Sequence, residues 1–352
     1  MSQSSPPFFA AGTIKDPRYF VGRTVQLRQL TTRMTAAQPT SINLVGESRI
    51  GKSSLLYHFY QTWEQRVQNS QNYVVIYLSM QEEEPKVENA FYRAAARELQ
   101  RHTGDQTLQS CFGIDRDSRD SFLELLQQYQ AAGVLPVICL DEFPNLIEKS
   151  THFDDTVFNV WRGWMDSNRW MLIVASFTPL KTIREQHNLT SRFFNIGHVI
   201  ELGDLTDSEA ADLLRLPARA DNQQRPILGT AEQQLALDWA GNHPYKLQTA
   251  AYALWEAGDV GHDVAWAQAQ YERQVKINVP KQPINWRQHI TWFLRWPNRL
   301  LRMILRLPRA IDEAFGWVFG WIVIIVLASA LLGWLSTDQL RDMIINWLGI
   351  LP

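Results

Sequence analysis

Apolar and polar positions alternate regularly over roughly the first two thirds of the chain. Short apolar runs of strand length are separated by longer stretches in which apolar residues recur with the period of a helix. Strands that alternate with helices form a parallel sheet covered on both faces, so the pattern predicts an α/β core. The predicted strands are Thr40–Val45, Tyr73–Ser79, Val134–Leu140, Trp170–Ala175 and Val199–Leu202, and the predicted helices include Ser53–Arg66, Glu88–Arg101, Ser118–Ala131 and Asp155–Asp166.

The pattern changes after this core and divides the rest of the chain into further parts. A region without strand signals comes first and predicts a small helical domain. Basic, uncharged and amphipathic stretches follow it. The predicted parts are a flexible tail at 1–15, the α/β core at 16–215, the helical domain at 216–280, a basic amphipathic segment at 281–310, an uncharged helix at 314–337 and an amphipathic tail at 338–352.

Composition places few limits on the function. The chain has 352 residues, of which 45% are hydrophobic and 20% are charged, as is ordinary for a globular protein. The net charge of -2 gives no bulk argument for nucleic-acid binding. The two cysteines, Cys111 and Cys139, lack the paired spacing of a zinc site or a disulfide framework.

A phosphate-binding motif occupies the turn between the first predicted strand and the helix after it. Gly46–Ser53 reads G-x-x-x-x-G-K-S, in the strand–turn–helix context that a P-loop requires. Its glycines let the backbone curve around phosphates, Lys52 reaches the β- and γ-phosphates, and the Ser53 hydroxyl ligates Mg²⁺. The motif therefore predicts ATP and Mg²⁺ as ligands. The predicted nucleotide contacts here are Gly46, Glu47, Ser48, Arg49, Ile50, Gly51, Lys52, Ser53 and Ser54.

Two acidic residues end the third predicted strand. Asp141 and Glu142 follow the run VICL in the Walker B pattern, in which the aspartate holds Mg²⁺ through water and the glutamate orients the attacking water. Tyr73–Ser79 lies between the two motifs in the chain, an order that fits the P-loop branch with an additional strand between them in the sheet. A surface acidic pair is the alternative interpretation. The sequence has no guanine-specific Asn-Lys-x-Asp motif, which favours ATP over GTP.

A polar residue ends the fourth predicted strand. Ser176 follows the run WMLIVA, and this strand end is expected between the P-loop and Asp141. A hydroxyl there can sense the γ-phosphate or the attacking water, and Thr178 competes for the role. The alternative is a hydroxyl that only satisfies hydrogen bonds at a strand end.

Several stretches of the sequence resemble the STAND and AAA-like ATPases of the P-loop class, especially the bacterial AAA-like domain proteins. They are the box Tyr19–Arg23 (YFVGR), the P-loop, Asp141-Glu142, the turn Gly241–Tyr245 (GNHPY) and the polar turn Thr190–Asn195. The resemblance covers residues 16–255. It implies a P-loop ATPase core of the additional-strand type with a helical lid.

The resemblance also implies roles for individual residues. Val21, Gly22, Arg23 and Pro244 match the family positions that flank the adenine and ribose, where a proline gives a flat apolar surface and a stiff hinge. Arg192 matches the position of an arginine finger that completes the site of a neighbouring subunit. Each assignment has a simpler alternative: a salt bridge for Arg23, helix initiation for Pro244, and a structural or solvated arginine for Arg192.

The uncharged segment predicts a membrane-spanning helix. Residues 314–337 carry no charge, and a helix of about 20 residues crosses the hydrocarbon core of a bilayer. Trp317, Trp321 and Trp334 lie toward its ends, where interfacial indoles are common. Arginines dominate its N-terminal flank, so the positive-inside rule places the ATP site in the cytoplasm. A buried core helix is the alternative.

Before that segment, arginines recur with alternating steps of four and three residues. On a helix this spacing forms one stripe, which predicts an interfacial helix on anionic lipids of the inner leaflet. A stripe that binds nucleic-acid phosphates and a solvated helix face are the alternatives. The arginines are Arg295, Arg299, Arg302, Arg306 and Arg309.

Together these features predict a single-pass, membrane-anchored regulatory ATPase that hydrolyses ATP slowly and acts through a protein partner or a homo-oligomer. The predicted catalytic residues are Lys52, Glu142 and Arg192, and the predicted metal ligands are Ser53 and Asp141. The alternative is an AAA+ ATPase that acts with nucleic acid, of the origin-binding or transposition-helper kind. A scaffold with a structural nucleotide is a third interpretation, against which the presence of Glu142 argues.

Overall fold

The structure of the chain is a computed structural model. It describes residues 8, 12–81, 87–104, 106–110, 118–148, 150, 152–195, 197–220 and 227–278, with the backbone alone at 216–220 and 278. The predictions for residues 281–310, 314–337 and 338–352 lie outside these ranges. Within them, no helix is long and apolar enough to cross a membrane.

A five-stranded sheet forms the centre of the fold. Its strands are β1 (Ile42–Gly46), β2 (Tyr73–Ser79), β3 (Leu135–Asp141), β4 (Met171–Ser176) and β5 (His198–Leu202). They lie in the order β2-β3-β4-β1-β5, and every neighbouring pair is parallel. The five predicted strands are therefore confirmed, with small shifts at their ends.

The strand order confirms the additional-strand type of P-loop core. The strand that separates β1 from β3 in the sheet is β4, whereas Tyr73–Ser79, which lies between them in the chain, forms the edge strand β2. Chain order does not fix sheet order, because parallel strands are joined by crossovers. The carboxyl ends of β1, β4 and β3 are therefore adjacent, and the motif residues gather at this edge of the sheet.

Helices cover both faces of the sheet, as the pattern predicted. Side chains of a strand point to opposite faces in turn, so Ile138 and Leu140 of β3 enter one apolar cluster and Val137 and Cys139 enter the other. The helices of the core are α1 (Thr24–Met34), α2 (Lys52–Thr62), α3 (Glu88–His102), α4 (Gln106–Gln109), α5 (Arg119–Ala131), α6 (Pro144–Glu148), α7 (Asp155–Asp166) and α8 (Leu180–Gln186). Short 3-10 turns lie at Pro17–Tyr19, Trp63–Arg66, Ser70–Asn72 and Arg192–Asn195.

Four further helices form the helical domain, which we call the lid. They are α9 (Asp207–Ala220), α10 (Thr230–Ala240), α11 (Pro244–Val260) and α12 (Val264–Asn278). Their apolar cluster includes Leu205, which precedes α9, and Leu213 and Leu214 of α9. The lid therefore starts before the predicted boundary at residue 216, because α9 turns its apolar face toward α11 rather than toward the sheet.

Parts of the predicted flexible tail pack against the rest of the chain. Phe8 is only 4% exposed and belongs to the apolar cluster of the lid. The backbone N–H of Ile14 donates a hydrogen bond to Ser54 Oγ in the first turn of α2, at 3.1 Å. Isolated apolar residues in a short polar stretch have no periodicity, so the sequence pattern could not predict this packing.

Candidate nucleotide-binding site

The P-loop joins the carboxyl end of β1 to the first turn of α2. Two of its residues have left-handed backbone angles, Arg49 at φ 64° and Gly51 at φ 100°. A Cβ added to Gly46 would lie 2.8 Å from the carbonyl oxygen of Leu202 and 2.8 Å from Ile50 Cγ2, so only glycine fits between β1 and the end of β5. The glycines thus shape the turn of the P-loop, and phosphate binding there stays a prediction.

Lys52 is held inside the P-loop by two backbone carbonyls. Its Nζ donates to the oxygens of Gly46 and Glu47, each at 2.8 Å. Burial lowers the pKa of the Lys52 amine, and the nearby carboxylates of Glu142, Asp141 and Glu47 act in the opposite direction. The ammonium is therefore oriented toward the turn in which a phosphate group would sit.

The carboxylate of Asp141 accepts three hydrogen bonds in the site. Its Oδ1 accepts from Ser53 Oγ at 3.1 Å and from the backbone N–H of Glu142 at 3.0 Å, and its Oδ2 accepts from the Tyr77 hydroxyl at 2.7 Å. Ser53 and Asp141, predicted as metal ligands, are thus in direct contact. A hydroxyl and a carboxylate are the hard oxygen donors that Mg²⁺ prefers, so this pair fits the ion.

Glu142 has an unusual backbone conformation at the end of β3. Its φ of 53° lies in the left-handed region, which costs energy for a residue with a Cβ. The next residue fixes this turn, because the N–H of Phe143 donates to the carbonyl of Ala175 at 3.2 Å and its ring is fully buried. Glu142 lines the cleft described below, as a residue that orients an attacking water should.

The hydroxyl of Ser176, at the end of β4, has hydrogen-bond partners within the core. Its hydroxyl accepts from Asn43 Nδ2 at 2.8 Å and donates to the carbonyl of Thr178 at 2.7 Å. Asn43 Oδ1 in turn accepts from the N–H of Leu180 at 3.0 Å. Neither Ser176 nor Thr178 is among the described residues that line the cleft, so the sensor role remains a prediction. Sequence reasoning overlooked Asn43, a single polar residue inside the apolar run INLV.

Arg23 connects the P-loop to the start of the lid. Its guanidinium donates to the carbonyl of Ile50 at 3.1 Å and to that of Asp204 at 3.3 Å, and its backbone N–H donates to Glu209 Oε1 of α9 at 2.6 Å. Burial lowers the pKa of Arg23, whereas the charges of Glu209 and Asp204 raise it. A simple salt bridge does not describe the role of Arg23, because its guanidinium donates to backbone carbonyls of both the P-loop and the start of the lid.

A cleft of about 500 Å³ lies between the P-loop and the lid. It brings together the predicted catalytic residue Glu142 and most of the predicted nucleotide contacts: Val21, Arg23, Ser48, Arg49, Ile50, Gly51, Lys52, Ser53, Ser54 and Pro244. Gly22, Gly46, Glu47 and Asp141 are not among the residues that line it, and a Cβ on Gly22 would meet the Glu209 side chain at 2.5 Å. Residues that sequence reasoning did not assign also line the cleft: Thr13, Ile14, Leu213, Tyr245 and Gln248.

The lid side of the cleft is formed by the first turns of α11. Pro244 is the first residue of this helix and His243 is its N-cap, so Pro244 both begins a helix and lines the cleft. The next residue, Tyr245, receives the guanidinium of Arg49 over its ring, 4.5 Å from the centroid. This cation–π contact is a second link between the P-loop and the lid.

Arg192 is exposed and does not line the cleft of its own chain. The two residues before Arg192 are fixed by Asp155, whose carboxylate accepts hydrogen bonds from the N–H groups of Thr190 at 2.9 Å and Ser191 at 2.8 Å. Phe193 is fully buried and stacks on Phe143 with ring centroids 5.8 Å apart. The turn is thus rigidly attached to the core while the guanidinium remains at the surface, which leaves the arginine-finger role a prediction.

The strand order, the P-loop, the acidic pair and the lid define a P-loop ATPase fold of the additional-strand type. The profile of the AAA-like domain family matches residues 12–260, and the chain belongs to this family. No curated protein matches the chain. Membership of the STAND group remains a prediction.

Solved structures that are similar to this chain include the following two. The Walker-type ATPase PABY2304 of Pyrococcus abyssi is 16% identical, with a TM-score of 0.54, over 95% of this chain and 91% of that chain. The ORC2 protein of Aeropyrum pernix, solved as ADPNP–ADP complexes, is 15% identical, with a TM-score of 0.52, over 75% of this chain and 72% of that chain. At these identities the likeness concerns the fold alone.

Proposed function

We propose that this chain binds ATP with Mg²⁺ in the cleft between P-loop and lid, and that it hydrolyses ATP slowly as a regulatory switch. The observation that carries the proposal is the convergence of Lys52, Ser53, Glu142 and Arg49 with Pro244 of the lid around one cleft of about 500 Å³. That volume and mixed lining suit a ligand of nucleotide size.

The residues of the core divide the chemistry among them. N–H groups of the P-loop and the Lys52 ammonium would bind the phosphates, and Ser53 and Asp141 would hold the metal ion. When bound, Mg²⁺ neutralises charge that develops on the phosphate oxygens. Glu142, whose backbone is fixed by buried Phe143, orients a water and accepts its proton.

The switch itself rests on the links between P-loop and lid. Arg23 bonds to Ile50 of the loop and to Asp204 at the start of the lid, and Arg49 stacks on Tyr245. Phosphates in the P-loop would compete for the same guanidinium and the same backbone. Nucleotide binding therefore changes how the lid is held, and a protein partner or a second copy of the chain reads that change.

The first test measures ATP binding and hydrolysis by the full chain and its Lys52→Ala variant. Lys52→Ala is expected to lose ATP binding, whereas Lys276→Ala, a matched change at an exposed lysine of α12, is expected to retain it. Glu142→Gln is expected to bind ATP and to lose about a hundredfold or more in hydrolysis, the usual contribution of a general base. Undiminished ATP binding by Lys52→Ala would overturn the assignment.

The exposed position of Arg192 would suit a contact with a second copy of the chain in an oligomer. We propose that Arg192 of one copy approaches the phosphates bound by another. Arg192→Ala and Lys52→Ala chains should each be inactive alone, and mixing them should restore part of the hydrolysis, because one copy then supplies the arginine and the other the intact P-loop. Absence of restoration in a verified mixed oligomer would contradict a role in trans.

Membrane anchoring is proposed from the sequence alone. The uncharged run at 314–337 and the arginines before it favour a single span with the ATPase in the cytoplasm and contact with anionic lipid. Cell fractionation with protease protection tests this. A chain recovered in the soluble fraction, or a C-terminus on the same side as the P-loop, would contradict it.

A second candidate function is an AAA+ ATPase that acts with nucleic acid. It is favoured by the V-G-R box and P-loop, which the sequence shares with ATPases of the origin-binding and transposition-helper kinds. Binding to duplex DNA that weakens steeply as salt rises would support it. Binding to anionic vesicles but not to DNA would favour the membrane-anchored switch.

A further inference from the structure

The carboxylate of Asp141 has one oxygen turned toward the P-loop and one turned away from it. Oδ1 receives the Ser53 hydroxyl, the group with which Asp141 would share the metal ion. Oδ2 receives the hydroxyl of Tyr77 at 2.7 Å, from the neighbouring strand β2. The carboxyl group of an aspartate can rotate about its last torsion, and here the backbone N–H of Glu142 on Oδ1 and the Tyr77 hydroxyl on Oδ2 restrict that rotation from both oxygens. Tyr77 supplies the restraint on the oxygen that is turned away from the P-loop.

The register of the sheet makes this contact possible. Tyr77 of β2 pairs with Cys139 of β3, and Asp141 lies two residues further along β3. Side chains two residues apart point to the same face of a strand, so Tyr77 and Asp141 share a face and are offset along it. A phenol is long enough to bridge that offset, whereas a serine at the same position would be too short.

The ring of Tyr77 is fixed in place independently of the hydroxyl. Tyr57 of α2 packs edge-on against it with centroids 5.2 Å apart, and Tyr60 lies 6.0 Å away. The bond to Oδ2 is thus directed by a side chain whose ring is fixed by its neighbours.

We propose that Tyr77 is the positioning residue of the metal site: its hydroxyl holds the Asp141 carboxylate so that the other oxygen faces the ion beside Ser53. The proposal rests on the proposed ATP and Mg²⁺ function and assigns to β2 a part in it that the P-loop and Walker B motifs do not contain. Tyr77 does not touch the nucleotide and acts through Asp141.

The test compares the full chain with its Tyr77→Phe and Tyr57→Phe variants. Tyr77→Phe keeps the packed ring and removes only the hydroxyl. Tyr57→Phe is the matched control, because Tyr57 contacts the same ring without a bond to Asp141 in the described part of the chain. The measurements are ATP hydrolysis against free Mg²⁺, and ATP binding with and without EDTA.

Tyr77→Phe is expected to raise the Mg²⁺ concentration for half-maximal hydrolysis about tenfold, the size expected for loss of one hydrogen bond to a charged group. ATP binding in EDTA, thermal stability and the Tyr57→Phe profile should stay near the wild-type values. An unchanged Mg²⁺ requirement in Tyr77→Phe would overturn the proposal. Equal effects of both variants on Mg²⁺ requirement and stability would also overturn it, because they would show a packing role only. If the ATP affinity of the wild-type chain is the same with Mg²⁺ and in EDTA, that result would instead refute the proposed function on which the inference rests.

Discussion

The two walls of the cleft are built in different ways. On the core wall, the reactive groups stand at the ends of buried parallel strands and are bonded to one another, as Ser53, Asp141 and Tyr77 are. On the lid wall, helices pack against one another through small residues such as Ala236 and Ala250. Long side chains make the contacts between these helices and the core. The difference indicates a fixed chemical wall facing a wall that can move, because a few side-chain contacts are easier to exchange than a sheet.

The largest effect should come from the link through Arg23. Arg23→Ala removes charged hydrogen bonds to the carbonyls of Ile50 and Asp204, and each such bond is worth about 1.5–3 kcal/mol. We expect a lower melting temperature and ATP binding weakened about tenfold or more. Arg28→Ala, at an exposed position of α1, is the control. Equal ATP affinity in both variants would show that the two walls are not coupled through Arg23.

The core should respond to acid through His58, which lies outside the lining of the cleft. This residue of α2 stacks on Phe20 at 4.0 Å between ring centroids, and burial, helped by Arg66, lowers the pKa of His58 to about 4. The unfolded chain binds the same proton near the ordinary histidine pKa of 6.5, so stability falls as pH drops from 6.5 toward 4. At pH 5 the expected loss is about 2 kcal/mol relative to neutral pH.

His58→Phe keeps a ring against Phe20 and removes the titration, so it should flatten the dependence of unfolding free energy on pH between 7 and 5. His187→Phe, at an exposed site, should retain the wild-type slope. The same slope in wild type and His58→Phe would mean that another group produces it. Urea unfolding at a series of pH values measures the effect.

The smallest effect should come from Tyr245. Tyr245→Leu removes the ring under the Arg49 guanidinium, and a cation–π contact is worth about 0.5–2 kcal/mol. We expect a few-fold loss of ATP affinity, together with some loss of stability because Tyr245 is buried, whereas Tyr245→Phe, which keeps the ring, should match the wild type. Titration with a fluorescent ATP analogue measures both. A larger loss in Tyr245→Phe than in Tyr245→Leu would rule out the ring as the contact.

The sequence predicted the core wall better than the lid wall. The P-loop and Asp141-Glu142 have fixed local spacing, and strand periodicity located β1 to β5, so these features could be read from neighbouring residues. Tyr77 reaches Asp141 only through the register of β2 on β3, which no local pattern encodes. Tyr245 and Gln248 line the cleft because α11 is placed over the P-loop by long-range packing.

Two details of the sequence interpretation changed for physical reasons. The predicted separation of the motifs by an additional strand is correct, but β4 rather than Tyr73–Ser79 separates them, because crossover connections reorder strands. The hydroxyl of Ser176 is already bonded to Asn43 and Thr178. An isolated asparagine in an apolar strand was the only signal for that network, and it could equally have marked a strand edge.

The burial of Phe8 limits how the ATPase can be shortened or tagged. A variant that begins at residue 16, the boundary suggested by the sequence pattern, would lose the ring that fills the lid cluster and the Ile14 donor on Ser54. Its lid would contain a void in the apolar cluster, and its P-loop helix would lose one hydrogen bond. Low activity of such a fragment would therefore report on damaged packing rather than on the chemistry of the intact protein.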